Sequence, residues 1–193
     1  VAELDGASQF RYTEAKPVNN CPSMRGSWMV ALECLRTRRA VRKYSQETLA
    51  REILEDVIDV ARLAPSANNR QAWDFIVVTD RQKLQALAEA ADWGRHIAEA
   101  AACVAVVVQP GTYAREDGAN AATYVMLAAQ AHGIGSCWVA GDPSPFAGKV
   151  KEILGVPTSL HLSALIPLGY PAEEPHPDKR PLRSVLHWEQ YHA

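Results

Sequence analysis

Six consecutive apolar residues, Cys103-Val-Ala-Val-Val-Val108, constrain this chain more than any other stretch. Four of the six are valine, which disfavours a helix, and nothing polar alternates with them, so the segment reads as a central strand covered on both faces. Amphipathic patterns surround it. Thr48 is placed to cap a helix whose apolar positions Leu49, Ile53, Val57, Val60 and Ala64 recur every three or four residues, with Pro65 as its stop. Phe75 to Thr79 reads as a second buried strand, and Asp80 caps a helix carrying Leu84, Leu87, Ala88 and Ala91. A loop from Gln109 to Asp117 leads to an Ala-rich helix, Ala119 to His132, with Gly133 in the position that tolerates a left-handed conformation. A strand from Ser136 to Ala140, a helix from Pro145 to Leu154 ended by Gly155 and Pro157, and a strand from Leu160 to Leu168 complete the pattern. A short helix is expected from Ser27 through Leu35. This order gives α+β or α/β architecture around a sheet of about four strands. Residues 1–27 read as an irregular extension and 28–193 as one domain.

Composition narrows the function. Twenty basic residues against twenty-two acidic ones leave a net charge of −2, so no global field favours a nucleic-acid backbone or an anionic membrane. No stretch approaches the ~18 apolar residues of a membrane span. Cys21, Cys34, Cys103 and Cys137 lie far apart without C-x-x-C spacing, which fits a reduced, cytoplasmic setting and no metal. The six histidines have no i, i+4 partner, and no G-x-S-x-G marks a serine nucleophile. Gly133-Ile134-Gly135 is not a dinucleotide fingerprint: Trp138 stands where the third glycine belongs, and the order is helix then strand. Trp73, Trp138 and Trp188 read as core or interface anchors rather than a base-stacking platform.

Four segments carry the candidate chemistry. Arg36 to Lys43, RTRRAVRK, puts five cations in eight residues with no acid, so it is either a solvated basic turn or an anion site in which Arg38, Arg39 and Arg42 converge. Pro65 to Trp73, PSANNRQAW, crowds Ser66, Asn68, Asn69 and Gln71 into one loop, suited to the edge of a polar heterocycle or to satisfying its own backbone. In HGIGSCWVAGD, residues 132–142, backbone N–H groups of Val139 to Asp142 end a strand, and Gly141 permits close approach to a ligand. Near the C-terminus Lys179, Arg180 and Arg183 form a second cationic group. Together these make a site for a phosphorylated, hydrogen-bonding planar ligand.

These segments resemble, in order and spacing, the nitroreductase family of FMN-dependent oxidoreductases. RRAVRKY at 38–44 is similar to the family's R-R-S-V-R-x-F, and APSANNRQAW at 64–73 to A-P-S-x-x-N-x-Q-P-W. HGIGSCWVAG is similar to G-L-G-S-x-W-x-x-G, and IPLGYPAEEPHPDKRPL to I-P-x-G-Y-P-x-E-x-P…R; the likeness covers about residues 29–191. It implies an α+β three-layer sandwich, a mostly antiparallel sheet flanked by helices, working as an intertwined homodimer that shares two FMN sites. By position, Arg38, Arg39 and Arg180, with neighbouring Ala40 and Lys179, are implied at the phosphate, and Arg42 at the flavin pyrimidine, where a cation stabilises the charge that hydride arrival leaves. Pro65, Ser66, Asn69 and Gln71 are implied to reach the flavin from the partner subunit, and the backbone of Ala140 and Gly141 to face N5. Ala40 departs from the family's serine and Ala72 from its proline. The chain is short between the Val108 strand and the Ala119 helix, which implies an open pocket and loose substrate choice. The implied reaction is ping-pong hydride transfer from NADH or NADPH to a small electron-poor acceptor, a nitroaromatic or quinone. Flavin sequestration without catalysis, reductive dehalogenation and flavin fragmentation are the alternatives.

Overall fold

The computed structural model describes residues 31–191. The expected extension at 1–27, and residues 27–30 of the first expected helix, lie outside the described residues. Five helices and five strands follow in the order α1 Ala31–Thr37, α2 Arg51–Ala61, β1 Trp73–Val78, α3 Arg81–Ala90, β2 Ala102–Val108, α4 Ala114–Ala131, β3 Gly135–Ser136, β4 Val139–Ala140, α5 Ala147–Leu154 and β5 His161–Gly169. The sheet runs β1-β2-β5-β3, with β4 beside β3 on the same edge of β5, and every pairing is antiparallel.

All seven residues of β2 are buried, as its unbroken apolar run requires. Ala102, Val104, Val106 and Val108 point into a core shared with α2 and α4, while Cys103, Ala105 and Val107 point into a second core with α3 and α5. That alternation makes three layers. On β5 the register slips between Val106 and Val107, so Ser163 is an extra residue and the strand presents Leu162 and Leu165 to one core, Ala164, Ile166 and Leu168 to the other.

Several boundaries differ from the sequence expectation. The α2 helix starts at Arg51 after Ala50, and Thr48 does not cap it. It also ends at Ala61, because the residue before Pro65 avoids helical geometry and the last turn tightens through Leu63 N–H to Val60 O and Ala64 N–H to Ala61 O. The first strand begins two residues earlier than Phe75, and α1 runs on to Thr37. The α4 helix begins at Ala114, inside the stretch expected as loop, and α5 begins at Ala147. The sheet has five strands because the expected Ser136–Ala140 strand is split. Both halves keep one register against β5, Ser136 opposite Leu168 and Val139 opposite Leu165, and the ladder lapses only at Cys137 and Trp138. Asp80 does cap α3, its carboxylate accepting from Lys83 N–H at 2.9 Å, and Gly133 and Gly155 adopt φ of +72° and +67°.

Candidate functional site

The basic segment is laid along the free edge of the sheet. Ala40 bridges Ser136 in parallel, Val41 N–H donates to Ser136 O at 2.9 Å, and Tyr44 bridges Pro171. Two glycines make this possible: a β-carbon on Gly135 would fall 2.9 Å from Val41, and one on Gly169 2.9 Å from Tyr44. The Tyr44 hydroxyl donates to Val41 O at 2.7 Å, and burial pushes its pKa far up, so it is a neutral strut. Glu173 locks the segment from outside, its carboxylate accepting from the N–H groups of Arg42 at 2.6 Å and Lys43 at 3.1 Å. Glu173 was not among the sequence candidates, although it is the Glu of the Y-P-x-E motif.

Backbone held this way projects Arg38, Arg39 and Arg42 from one edge. Arg39 Nη1 donates to Arg36 O and Arg38 O, while its Nε is buried without a hydrogen-bond partner. Among the described residues no carboxylate pairs with Arg38, Arg39 or Arg42. Buried donors are seldom left unmade, so an orphaned guanidinium nitrogen in a basic segment whose neighbouring Glu173 carboxylate is taken up by backbone N–H groups fits a phosphate group. His96, in the 3-10 turn Arg95–Glu99, also has a buried, unpartnered Nε2, and desolvation, with Arg42 adding to it, lowers its pKa. No motif flagged this histidine. Cys137 lies near the same arginines, yet burial raises its pKa, and Cys103 is pushed up to about 12, so both are inert thiols.

Further along the same edge come Ala140, paired with Ala164, and Gly141. Gly141 answers first to the chain's own backbone: a β-carbon there would lie 2.0 Å from Leu162 O. The next residue pins the turn, Asp142 N–H donating to Leu162 O at 2.7 Å and its carboxylate accepting from Leu162 N–H at 2.8 Å. A cleft of about 430 Å³ opens here, and Trp138 and Asp142, which flank Ala140 and Gly141 in sequence, both line it.

The Pro65–Gln71 loop lies away from the arginines, at the level of Val108 and His161, which line the cleft. Buried Asp117 accepts from Ala67 N–H at 2.9 Å, Asn120 donates to Pro65 O, and Ser66 Oγ accepts from Gln71 N–H at 3.0 Å. Asn69 and Gln71 take φ of +54° and +49°. The loop precedes Trp73, which pairs with Val108 and thereby with His161, whereas the basic segment sits at Leu168. Six residue steps along β2, from Ala102 to Val108, separate those levels, roughly 20 Å of strand. Lys179 and Arg180 lie on the exposed C-terminal segment, where Arg180 donates to Ser184 O at 3.4 Å; no hydrogen bond joins them to Arg38 or Arg39.

The family model described as Nitroreductase family matches residues 35–109 and 108–170. A provisionally named NADH dehydrogenase/NAD(P)H nitroreductase of Archaeoglobus fulgidus is 37% identical over 152 residues, 74% of this chain and 87% of that protein. The solved structure of an FMN-dependent nitroreductase from Clostridium difficile R20291 is 28% identical with a TM-score of 0.78, covering 83% of this chain and 99% of that one. An iodotyrosine deiodinase of Haliscomenobacter hydrossis is 27% identical over 171 residues, 70% of this chain and 77% of its own. The chain belongs to the nitroreductase family of oxidoreductases.

Proposed function

We propose that the chain binds FMN along the edge formed by Arg38–Arg42 and Ala140–Gly141, and passes a hydride from NAD(P)H to a small electron-poor acceptor such as a nitroaromatic or quinone. The observation that carries this reading is the buried, partnerless Arg39 Nε in a basic segment where, among the described residues, no carboxylate pairs with the guanidinium groups of Arg38, Arg39 or Arg42. Arg38 and Arg39 hold the phosphate, with Arg180 closing on it from the C-terminal segment. Ala40 contributes backbone where relatives offer a hydroxyl, and Lys179 adds charge nearby. When bound, FMN would supply the hydride-transfer chemistry. Arg42, fixed through its N–H to Glu173, places positive charge beside the pyrimidine edge. Donor and acceptor take turns in the cleft beside Ala140 and Gly141, and no protein nucleophile is required.

A second copy of the chain completes the site. The strand end that carries the Ser66, Asn69 and Gln71 loop lies roughly 20 Å along the strand direction from the level of the arginines, which favours the loop serving a second chain. Leu182, Val185, Leu186, Trp188 and Tyr191 are all exposed on the C-terminal segment, an apolar set suited to wrapping a partner. The test is the absorbance spectrum of the purified protein followed by NADH or NADPH. Yellow protein bleached by either nucleotide supports the reductase. Bound flavin that neither bleaches supports sequestration, and a colourless protein that refuses added FMN overturns the reading. The deiodinase relative adds a second acceptor class, aryl halides, tested by halide release from the reduced enzyme.

A further inference from the structure

The cleft beside Ala140 and Gly141 carries charge that cofactor binding by the edge arginines does not use. Arg115, in the first turn of α4, lines it, as does Gly111. A β-carbon on Gly111 would lie 3.5 Å from Arg70 Nη1, which puts the Arg70 guanidinium at the same wall. Arg70 occupies a variable position of the polar loop motif. Among the described residues neither Arg70 nor Arg115 makes an ion pair or a side-chain hydrogen bond.

The acids of the cleft do not cancel these cations. Asp142 is engaged by Leu162 N–H at 2.8 Å and by Lys151 Nζ at 3.4 Å. Glu116 remains as a carboxylate of the lining, against Arg115 in the lining and Arg70 beside Gly111. Trp138, 37% exposed, adds a flat apolar surface to the same cleft.

We infer that the cleft selects acceptors that are planar aromatic rings carrying one carboxylate, the ring lying against Trp138 and the carboxylate between Arg70 and Arg115. This rests on the flavin reading and names its acceptor class. Guanidinium groups match a planar carboxylate through paired N–H···O bonds, which a neutral substituent does not form. Glu116 beside them penalises a dianion, which favours a carboxylate over a phosphate ester.

The experiment compares 4-nitrobenzoate with 4-nitrobenzamide, the same ring with a neutral substituent, as acceptors for the FMN-loaded enzyme driven by NADH. The carboxylate is expected to be favoured by about tenfold in kcat/KM, mainly through KM, on the scale of one charge-assisted contact. That ratio is expected to fall towards one in the Arg70→Gln/Arg115→Gln double variant, the amide serving as internal reference. Rising ionic strength should shrink it in the unmodified enzyme, which tests the inference even if the variant misfolds. Equal use of both acceptors, or a ratio unmoved by salt and by the double substitution, overturns the inference. So does an NADPH-over-NADH preference that vanishes in the double variant while the acceptor ratio stays, since the arginines would then read the donor's phosphate. Failure of the flavin reading itself shows earlier, as protein that holds no FMN before any acceptor is added.

Discussion

Arg39 is the residue on which the cofactor reading turns, because its side chain is half held by its own backbone and half left waiting. Two carbonyls fix Nη1, so Nε is oriented before any ligand arrives and little rotamer entropy remains to be lost on binding. Arg39→Gln removes that donor and is expected to weaken FMN binding by about 1.5–3 kcal/mol, the range for a hydrogen bond to a charged group. Fluorescence titration of the apoprotein measures it, and melting without FMN separates cofactor loss from unfolding. An unchanged Kd would place the phosphate elsewhere. Arg42→Ala tests the pyrimidine role: the two-electron potential of bound flavin should fall, because the reduced form loses a neighbouring cation, and an unshifted potential would refute it. His96 behaves differently. Burial and Arg42 lower its pKa from the ordinary 6.5, while Glu99 and Glu173 pull the other way. The unfolded chain therefore binds this proton at a pH where the folded chain does not, and stability drops as pH falls from about 6.5 towards the folded-state value. His96→Gln should flatten that part of the curve in urea melts at pH 7.5 and 5.5. An identical slope in both proteins would remove His96 from the acid response.

At the scale of elements, α4 governs both the cleft and the polar loop. It lies close on β5 at Gly118, where a β-carbon would meet Ser163 Oγ at 1.9 Å. Ser163 is the extra residue of the β5 register slip, so bulge and glycine are matched features. Gly118→Ala is expected to push the helix off the strand and cost about 1–3 kcal/mol, as overpacking does, against the gain alanine gives in an open helix. Thermal melting decides: a raised Tm would mean that Ser163 simply turns away. One residue earlier Asp117 holds Ala67 N–H, so the same turn of helix also sets the loop. This explains what the sequence shows and hides. The β2 run and the period of α2 and α3 record burial on fixed faces, which composition encodes directly. The start of α4 was hidden because Arg115, Glu116 and Asp117 are polar and read as loop, whereas Asp117 is buried and spends its charge on the loop backbone. The basic cluster and the polar loop were visible as motifs of unusual composition. Glu173, His96 and Asp142 were harder to see: Glu173 acts on residues 131 positions away, and their roles depend on which backbone each meets after folding.

The whole molecule poses the remaining question, how two half-sites at different levels of one sheet come together. If the loop of one chain serves the arginines of another, each active centre is a joint product of two subunits, and defects in the halves must complement. Consider Arg39→Gln, defective on the arginine edge, and Asn69→Gly, which removes the loop amide while tolerating the φ of +54° observed there. Each homodimer carries the same defect at both of its centres. A mixed dimer instead joins the intact arginines of the Asn69→Gly chain to the intact loop of the Arg39→Gln chain, making one native centre and one doubly defective one. Random pairing of equal amounts makes half the dimers mixed, so about a quarter of all centres are native. Co-expression of the two variants with different tags should therefore give turnover near a quarter of the unmodified enzyme, and close to half in the fraction carrying both tags. The unmodified protein should elute at about twice the 21.1 kDa chain mass. If the arginines and the loop acted within one chain, no pairing would create a native centre, and the doubly tagged fraction would be no more active than the average of its parents.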